Sequence, residues 1–320
     1  MYLKNFLIIL IFFSFIFIIL LLKKDKYKKG NCYYNQKNEL VCENIEAVSG
    51  LNFLYNNTLG KIFRIILKRK IVSKIFSWYQ KSSFSKSKIK PFIRKHSINV
   101  SEFLLPVEKF KSFNDFFIRK LKPDARTIEG NKGDVVSPAD SKLFVIQNIS
   151  KEINFFVKNK NFNLRTFIKD KFLSDKYEGG QMLIFRLAPP DYHRYHFPFD
   201  CFASDYKVIN GVLESVNPIA YKSGVQPLYE NERQLIKLKS DSFGDVLFVV
   251  VGAMLVGKII HTYKPNKEHK KGEEFGYFEF GGSSIVMLFE KDKIKIKQKF
   301  LDNSANGYET QVLMGQVITE

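Results

Sequence analysis

The period of the apolar residues changes at Val135, and that change constrains the fold more than any other feature of the chain. Before it, Leu59, Ile62, Phe63, Ile66 and Leu67 recur at the spacing of one helix face,. Residues 51 to about 125 read as helical, with a Ser- and Lys-rich break at Ser82 to Lys88 and a short helix from Phe113 to Leu121 ahead of Pro123. After Val135, short apolar runs alternate with Gly, Pro, Asn and Asp. Met182 to Phe185, Val246 to Val251, Ile285 to Phe289 and the alternating Lys293 to Lys297 read as strands,. The expected class is α+β, a helical N-terminal region followed by a mostly antiparallel β domain. Hydrophobic content of 45% and aromatic content of 15% over 320 residues exclude a disordered chain,.

Phe6 to Leu22 is apolar apart from Ser14, with Lys4 before it and Lys23-Lys24 after it. This is the short end of a bilayer-spanning helix, which needs about 17 to 25 residues. No small-x-small cleavage site follows, so an uncleaved transmembrane anchor is expected rather than a signal peptide. Five lysines from Lys23 to Lys29 against one before the span place the downstream domain on the cytoplasmic side,. The expected division is 1–29 anchor and basic flank, 30–130 helical membrane-associating region, and 131–320 catalytic domain. Lys and Arg outnumber Asp and Glu by 51 to 32, which predicts an anionic partner,. Lys61, Arg64, Lys68, Arg69, Lys70 and Lys74, interleaved with the apolar stripe and followed by Phe76 and Trp78, suit an anionic membrane interface,. Without an RNP, zinc-finger or helix-turn-helix pattern, nucleic acid is not the expected partner. Cys32, Cys42 and Cys201 make no disulfide framework; Cys32 and Cys42 are close enough to pair, but two free thiols are the favoured reading,.

Three segments carry residue types suited to chemistry. Ser137-Pro138-Ala139-Asp140 puts a carboxylate just past a proline turn, ordinarily a cap or turn residue,. Tyr192-His193-Arg194-Tyr195-His196 places two of the five histidines within four residues, bounded by Pro189-Pro190 and Pro198,. The two imidazoles can serve as acid and base, or as a purely structural pair; a third protein ligand for zinc is not apparent, so no metal is expected. Gly281-Gly282-Ser283-Ser284 leads into a strand. It is either a plain turn or a place where the Ser283 hydroxyl approaches the Gly282 carbonyl, since glycine tolerates strained backbone.

Taken together, these segments resemble the phosphatidylserine decarboxylase family from about Leu51 to Ile318. Phe113-Asn114-Asp115-Phe116-Phe117 with Arg119-Lys120-Leu121 matches the family's opening motif. Ser137-Pro138-Ala139-Asp140 and Tyr192-His193-Arg194-Tyr195-His196 match its aspartate and histidine motifs. Gly211 with Ser215-Val216-Asn217-Pro218, then Asn231-Glu232-Arg233, then Val251 to Gly257 follow in order. Gly282-Ser283-Ser284 corresponds to the processing site, in the Gly-Gly-Ser form of clostridial relatives. Thr127 stands where the family usually has Pro, and Ser284 where Thr is commoner.

The resemblance implies a zymogen. Asp140 orients His196, His196 takes the Ser283 proton, and the alkoxide attacks the Gly282 carbonyl. Elimination and hydrolysis then leave a β chain, 1–282, and an α chain, 283–320, whose first residue is a pyruvoyl group, the expected cofactor. That ketone forms a Schiff base with the serine amine of phosphatidylserine and accepts the electrons left by CO2. His193 assists decarboxylation and returns the proton. The implied partners are phosphatidylserine in an anionic membrane and the chain's own α and β pieces, with a homodimer left open. Decarboxylation of a related lipid such as archaetidylserine, non-enzymatic binding of anionic lipid, and metal-dependent hydrolysis by His193 and His196 are the competing readings.

Overall fold

The computed structural model describes residues 32–43, 48–149, 153–154, 161–255, 258–281 and 283–320. Helices α1 (Val48–Asn56), α2 (Thr58–Leu67), α3 (Lys70–Lys81), α4 (Ile89–His96) and α5 (Phe113–Phe117) precede the main β region. Five more helices punctuate the strands: α6 (Leu164–Ile168), α7 (Lys171–Tyr177), α8 (Pro218–Lys222), α9 (Pro227–Glu230) and α10 (Gln298–Ala305). A hairpin, β1 (Cys32–Tyr34) and β2 (Leu40–Cys42), is followed by β3 (Ser141–Ile146) and the two-residue strands β4 (Ile153–Asn154) and β5 (Asn161–Phe162). Next come β6 (Gln181–Leu187), β7 (Arg194–His196), β8 (Cys201–Ile209), β9 (Arg233–Ser240) and β10 (Gly244–Val251). The chain closes with β11 (Ile259–His261), β12 (Lys267–His269), β13 (Glu274–Phe278), β14 (Ser283–Phe289) and β15 (Glu309–Val312).

Among the described residues, ten strands form one sheet in the order β12-β8-β9-β10-β14-β6-β3-β15-β1-β2. Its pairings are antiparallel except for β1 with β15. β6, β10 and β14 lie at its centre and are apolar on both faces, because a core cluster covers each side,. Leu187, Phe185, Ile285, Met287 and Val250 point into one cluster; Ile184, Val286, Leu288 and Val249 point into the other. A second sheet, β11-β13-β7, carries the histidine motif.

Several expectations need correction. Among the described residues no helix is long and apolar enough to cross a membrane; α2 and α3 run only 10 and 12 residues, short of the ~20 that a span requires. The transmembrane anchor is therefore removed from the fold class, which is a mixed α/β architecture around a large, mostly antiparallel sheet. The membrane location and cytoplasmic orientation inferred from that anchor are withdrawn with it; the expected span, Phe6 to Leu22, lies outside the described residues. Cys32 and Cys42 are not free thiols: they face each other across β1 and β2 and form a disulfide. Lys293 to Lys297 is not a strand either. Lys293 closes a turn onto the Glu290 carbonyl, Asp292 has φ +60°, and Lys297 caps α10.

Helix α2 is turned opposite to an ordinary surface helix. Arg64 and Lys68 face inward to the buried Glu214, at 3.8 and 3.4 Å, while Leu59, Ile62, Ile65 and Ile66 face out. Ile71, Ile75 and Trp78 of α3 and Phe84 beyond it extend this exposed apolar face.

The Asn231-Glu232-Arg233 segment is structural. Asn231 is wholly buried and ties the backbone of Glu214 to that of Gly252. The Arg233 guanidinium donates to the carbonyls of Phe167, Thr166, Tyr229 and Asn231 at 2.7 to 2.9 Å. Replacing Arg233 by Leu strands these acceptors, so the urea midpoint is expected to fall by the equivalent of about 3–5 kcal/mol. An unchanged midpoint would show the network to be dispensable.

Candidate active site

The four predicted side chains come from three parts of the fold. Asp140 follows the Pro138 turn at the start of β3 and is buried. Arg126 grips it with a two-point fork, Nε to Oδ1 at 2.9 Å and Nη2 to Oδ2 at 2.6 Å, and Met314 adds a backbone N–H at 2.9 Å,. Arg126 also reaches Glu102 at 3.0 Å. Asp140 makes no described hydrogen bond to His196. Its influence on that imidazole is through charge. The backbones are nonetheless joined, since the His196 N–H donates to the Pro138 carbonyl at 2.8 Å.

Each histidine has its Nδ1 fixed by a carbonyl. His196 Nδ1 donates to Gly272 at 3.0 Å, leaving Nε2 as the free base nitrogen with the Tyr192 hydroxyl 3.4 Å away,. Burial lowers the His196 pKa, partly opposed by the Gly272 bond and by the charges of Glu274 and Asp140. His193 Nδ1 donates to the Asp191 carbonyl at 2.9 Å, and its ring lies 3.9 Å from that of Phe117. Its Nε2 is buried without a hydrogen-bond partner. Burial drives this pKa down to about 3, so His193 is a neutral imidazole with an unengaged lone pair. Arg194, between them, is a structural residue that forks onto Glu274 at 2.9 Å and donates to the Ile118 carbonyl.

Ser283 heads β14, opposite Leu187 of β6. It is wholly inaccessible, and among the described residues its hydroxyl has no hydrogen-bond partner. The approach to it is held from the helical region: Asn114 Oδ1 accepts the Phe280 N–H at 2.9 Å, and the Phe280 ring packs on Phe117 and Phe113. Gly281 then turns the chain at φ +139°, a region that side-chain-bearing residues avoid,. Gly282 lies outside the described residues. Gly281 and Phe280 border a cavity of about 800 Å³, walled on the sheet side by Lys142, Arg186 and Leu187.

Sequence reasoning missed Arg126, Lys142, Arg186 and Glu43. Lys142 is buried and donates to both Asp191 oxygens at 2.7 and 2.8 Å. Arg186 sits between Glu309 and Glu43. A lone cation inside an apolar strand, as in Met182 to Leu187, was the available signal, since such charges are buried only when paired.

Comparison with known proteins gives a consistent result. A family described as "Phosphatidylserine decarboxylase" matches residues 113–320. The phosphatidylserine decarboxylase proenzyme of Fusobacterium nucleatum is 43% identical, covering 87% of this chain and 93% of that protein. The corresponding proenzyme of Chlamydia pneumoniae is 43% identical over 86% and 92%, and that of Clostridium tetani 43% over 89% and 97%.

The depressed histidines set an acid limit. As pH falls below about 6.5, the unfolded chain binds a proton that folded His193 refuses until about pH 3. Folding stability is therefore expected to fall across that window and to be insensitive to this group above it. In Ser283→Ala proenzyme, adding His193→Gln should flatten urea midpoints between pH 6.5 and 4, leaving a smaller slope from His196, which burial also lowers, and from His261, which burial lowers to about 4. An unaltered slope would mean that His193 takes its proton at its ordinary pKa.

Proposed function

The chain belongs to the phosphatidylserine decarboxylase family and removes CO2 from phosphatidylserine, and on that premise we propose that Ser283 is the residue from which its reactive centre is made. The observation that carries this reading is the Ser283 hydroxyl, wholly buried and unpaired at the head of a central strand. An unsatisfied buried hydroxyl costs about 1–3 kcal/mol. A permanent structural serine gains nothing from that cost, whereas a hydroxyl consumed when the proenzyme matures need not be satisfied for long.

In this reading His196 accepts the Ser283 proton at Nε2, the nitrogen left free by the Gly272 bond. Asp140 stabilises the resulting imidazolium by its charge, and Arg126 holds the Asp140 carboxylate in place,. The Ser283 oxygen attacks the Gly282 carbonyl, and the acyl group moves from nitrogen to oxygen. Removal of the α proton of residue 283 expels the Gly282 carboxylate and leaves dehydroalanine; its imine tautomer then adds water and loses ammonia. The pyruvoyl ketone left at residue 283 supplies an acceptor for the lipid amine and a sink for the electron pair released with CO2. His193, buried beside Phe117 with Nε2 turned away from the Asp191 bond, assists decarboxylation and passes the proton to the α carbon. Burial makes its imidazolium a strong acid, which favours that transfer.

The exposed Leu59, Ile62, Ile71, Ile75, Trp78 and Phe84 support capture of the lipid at a bilayer surface,. They lie on α2, α3 and the turn after α3, and Phe76, Gln80 and Lys88 of the same region border the cavity. An anionic bilayer suits the formal charge of +19,.

Ser283→Ala is expected to give an uncut chain without decarboxylase activity, while the unsubstituted protein releases a 283–320 fragment whose mass reports a pyruvoyl terminus. Full turnover by an uncut chain would overturn the assignment. His193→Gln should cut normally yet lose about 10²–10⁴-fold in turnover. Trp78→Ser with Phe84→Ser should weaken sedimentation with phosphatidylserine vesicles by about tenfold or more without affecting cleavage; unchanged binding would remove this face from the lipid path.

A further inference from the structure

The sheet wall of the cavity carries charges that the reaction outlined above does not use. Lys142, Arg186 and Ser284 lie abreast on β3, β6 and β14, paired in register. Side chains at directly paired positions share a face, so both cations project beside the residue that follows 283. Both are buried and both border the cavity.

Their partners are three carboxylates. Lys142 is held by Asp191, which also accepts the Ala188 N–H at 2.7 Å. Arg186 uses one edge for Glu309, with Nε to Oε1 at 2.8 Å, and its Nη1–Nη2 edge for Glu43, with Nη1 to Oε2 at 3.3 Å. Asp191 and Glu309 belong to segments built into the two sheets. Glu43 directly follows β2, the edge strand of the large sheet, where the Cys32–Cys42 disulfide closes the hairpin. Burial disfavours its charge, but Arg186 outweighs burial and holds Glu43 below the ordinary carboxylate range.

We propose that the Nη1–Nη2 edge of Arg186 is the subsite for the phosphodiester of the lipid headgroup, and that Glu43 fills it in the empty enzyme and yields it to substrate. A phosphodiester presents two unbridged oxygens to a guanidinium much as a carboxylate does, and Arg binds either through the same fork. The headgroup places this anion only a few bonds from the amine that must meet residue 283, and Arg186 stands one register row from that residue. The exchange also conserves charge. One monoanion leaves the buried cluster and another enters, so binding adds no uncompensated charge to the interior. Lys142 stays paired with Asp191 throughout and keeps that carboxylate from competing for Arg186. The inference rests on residue 283 being the reacting centre.

The test uses self-cleaved enzyme, water-soluble dihexanoyl phosphatidylserine as substrate, and two amine-free probes, dihexanoyl phosphatidylglycerol and dihexanoylglycerol. Glu43→Gln removes the competing charge while keeping shape. KM and the inhibition constant of phosphatidylglycerol should fall about three- to tenfold, with dihexanoylglycerol unaffected. Arg186→Lys keeps the charge but loses the fork, and should raise KM about fivefold or more at normal cleavage. Should Glu43→Gln leave phosphatidylglycerol inhibition unchanged or weaker, Glu43 is only a structural partner and the subsite is wrong. If that variant fails to cleave, an unmoved KM in Arg186→Lys overturns the proposal by itself. Failure of the unsubstituted protein to cleave or turn over would instead remove the reading of Ser283, so the two failures are distinct.

Discussion

The antiparallel pairing of β6 with β14 is the constraint on which the rest of this molecule depends. It runs from Ser283 opposite Leu187 to Phe289 opposite Gln181, in the middle of the sheet with a core on each face. Its first pair is the residue at which the proposed processing occurs. A chain cut before Ser283 therefore retains a new terminus held by hydrogen bonds to β6, while β10 secures the other edge of β14. The C-terminal piece also supplies α10 and β15, and β15 pairs with both β3 and β1. In a chain so cut, ladder and core contacts would keep the two pieces together.

Around this frame, buried charge sets position. Arg126 holds Asp140, Lys142 holds Asp191, and Asp191 holds His193 through its carbonyl. The effect is a relay of fixed orientations reaching from the loops onto the imidazoles. Removing any one partner would leave an uncompensated charge in a dry interior, which is far more costly than losing an exposed pair. The helical region adds to the same frame, because Asn114 and the aromatic rings about it fix Phe280 and hence the approach to Ser283.

Legibility in the sequence followed the range of the interaction. The three central strands were readable because a strand covered on both faces must be apolar throughout, a purely local property. Lys293 to Lys297 has the alternation of a strand but pairs only at a single bridge, Ile296 opposite Thr319, between the turn at Asp292 and the start of α10. The stripe on α2 was recognised as amphipathic, but it is split: Phe63 and Leu67 pack against Leu54 and Tyr55, Leu59, Ile62 and Ile66 stay exposed, and the buried Glu214 draws Arg64 and Lys68 inward. The Cys32–Cys42 bond depended on a hairpin whose register puts the two residues opposite each other.

What the sequence determined alone was the inventory: the order of the motifs, the strand-forming segments, and the serine, histidines and aspartate whose side chains suit the chemistry. Which base meets which acid was decided only in three dimensions. Asp140 turned out to belong to Arg126, each imidazole to a backbone carbonyl, and Arg186 to carboxylates 123 and 143 residues away along the chain. Periodicity and turn chemistry act over a few residues and leave a trace in the sequence. Pairing of buried charges acts through space, in a medium of low polarity, and depends on strand order and register that no local pattern encodes.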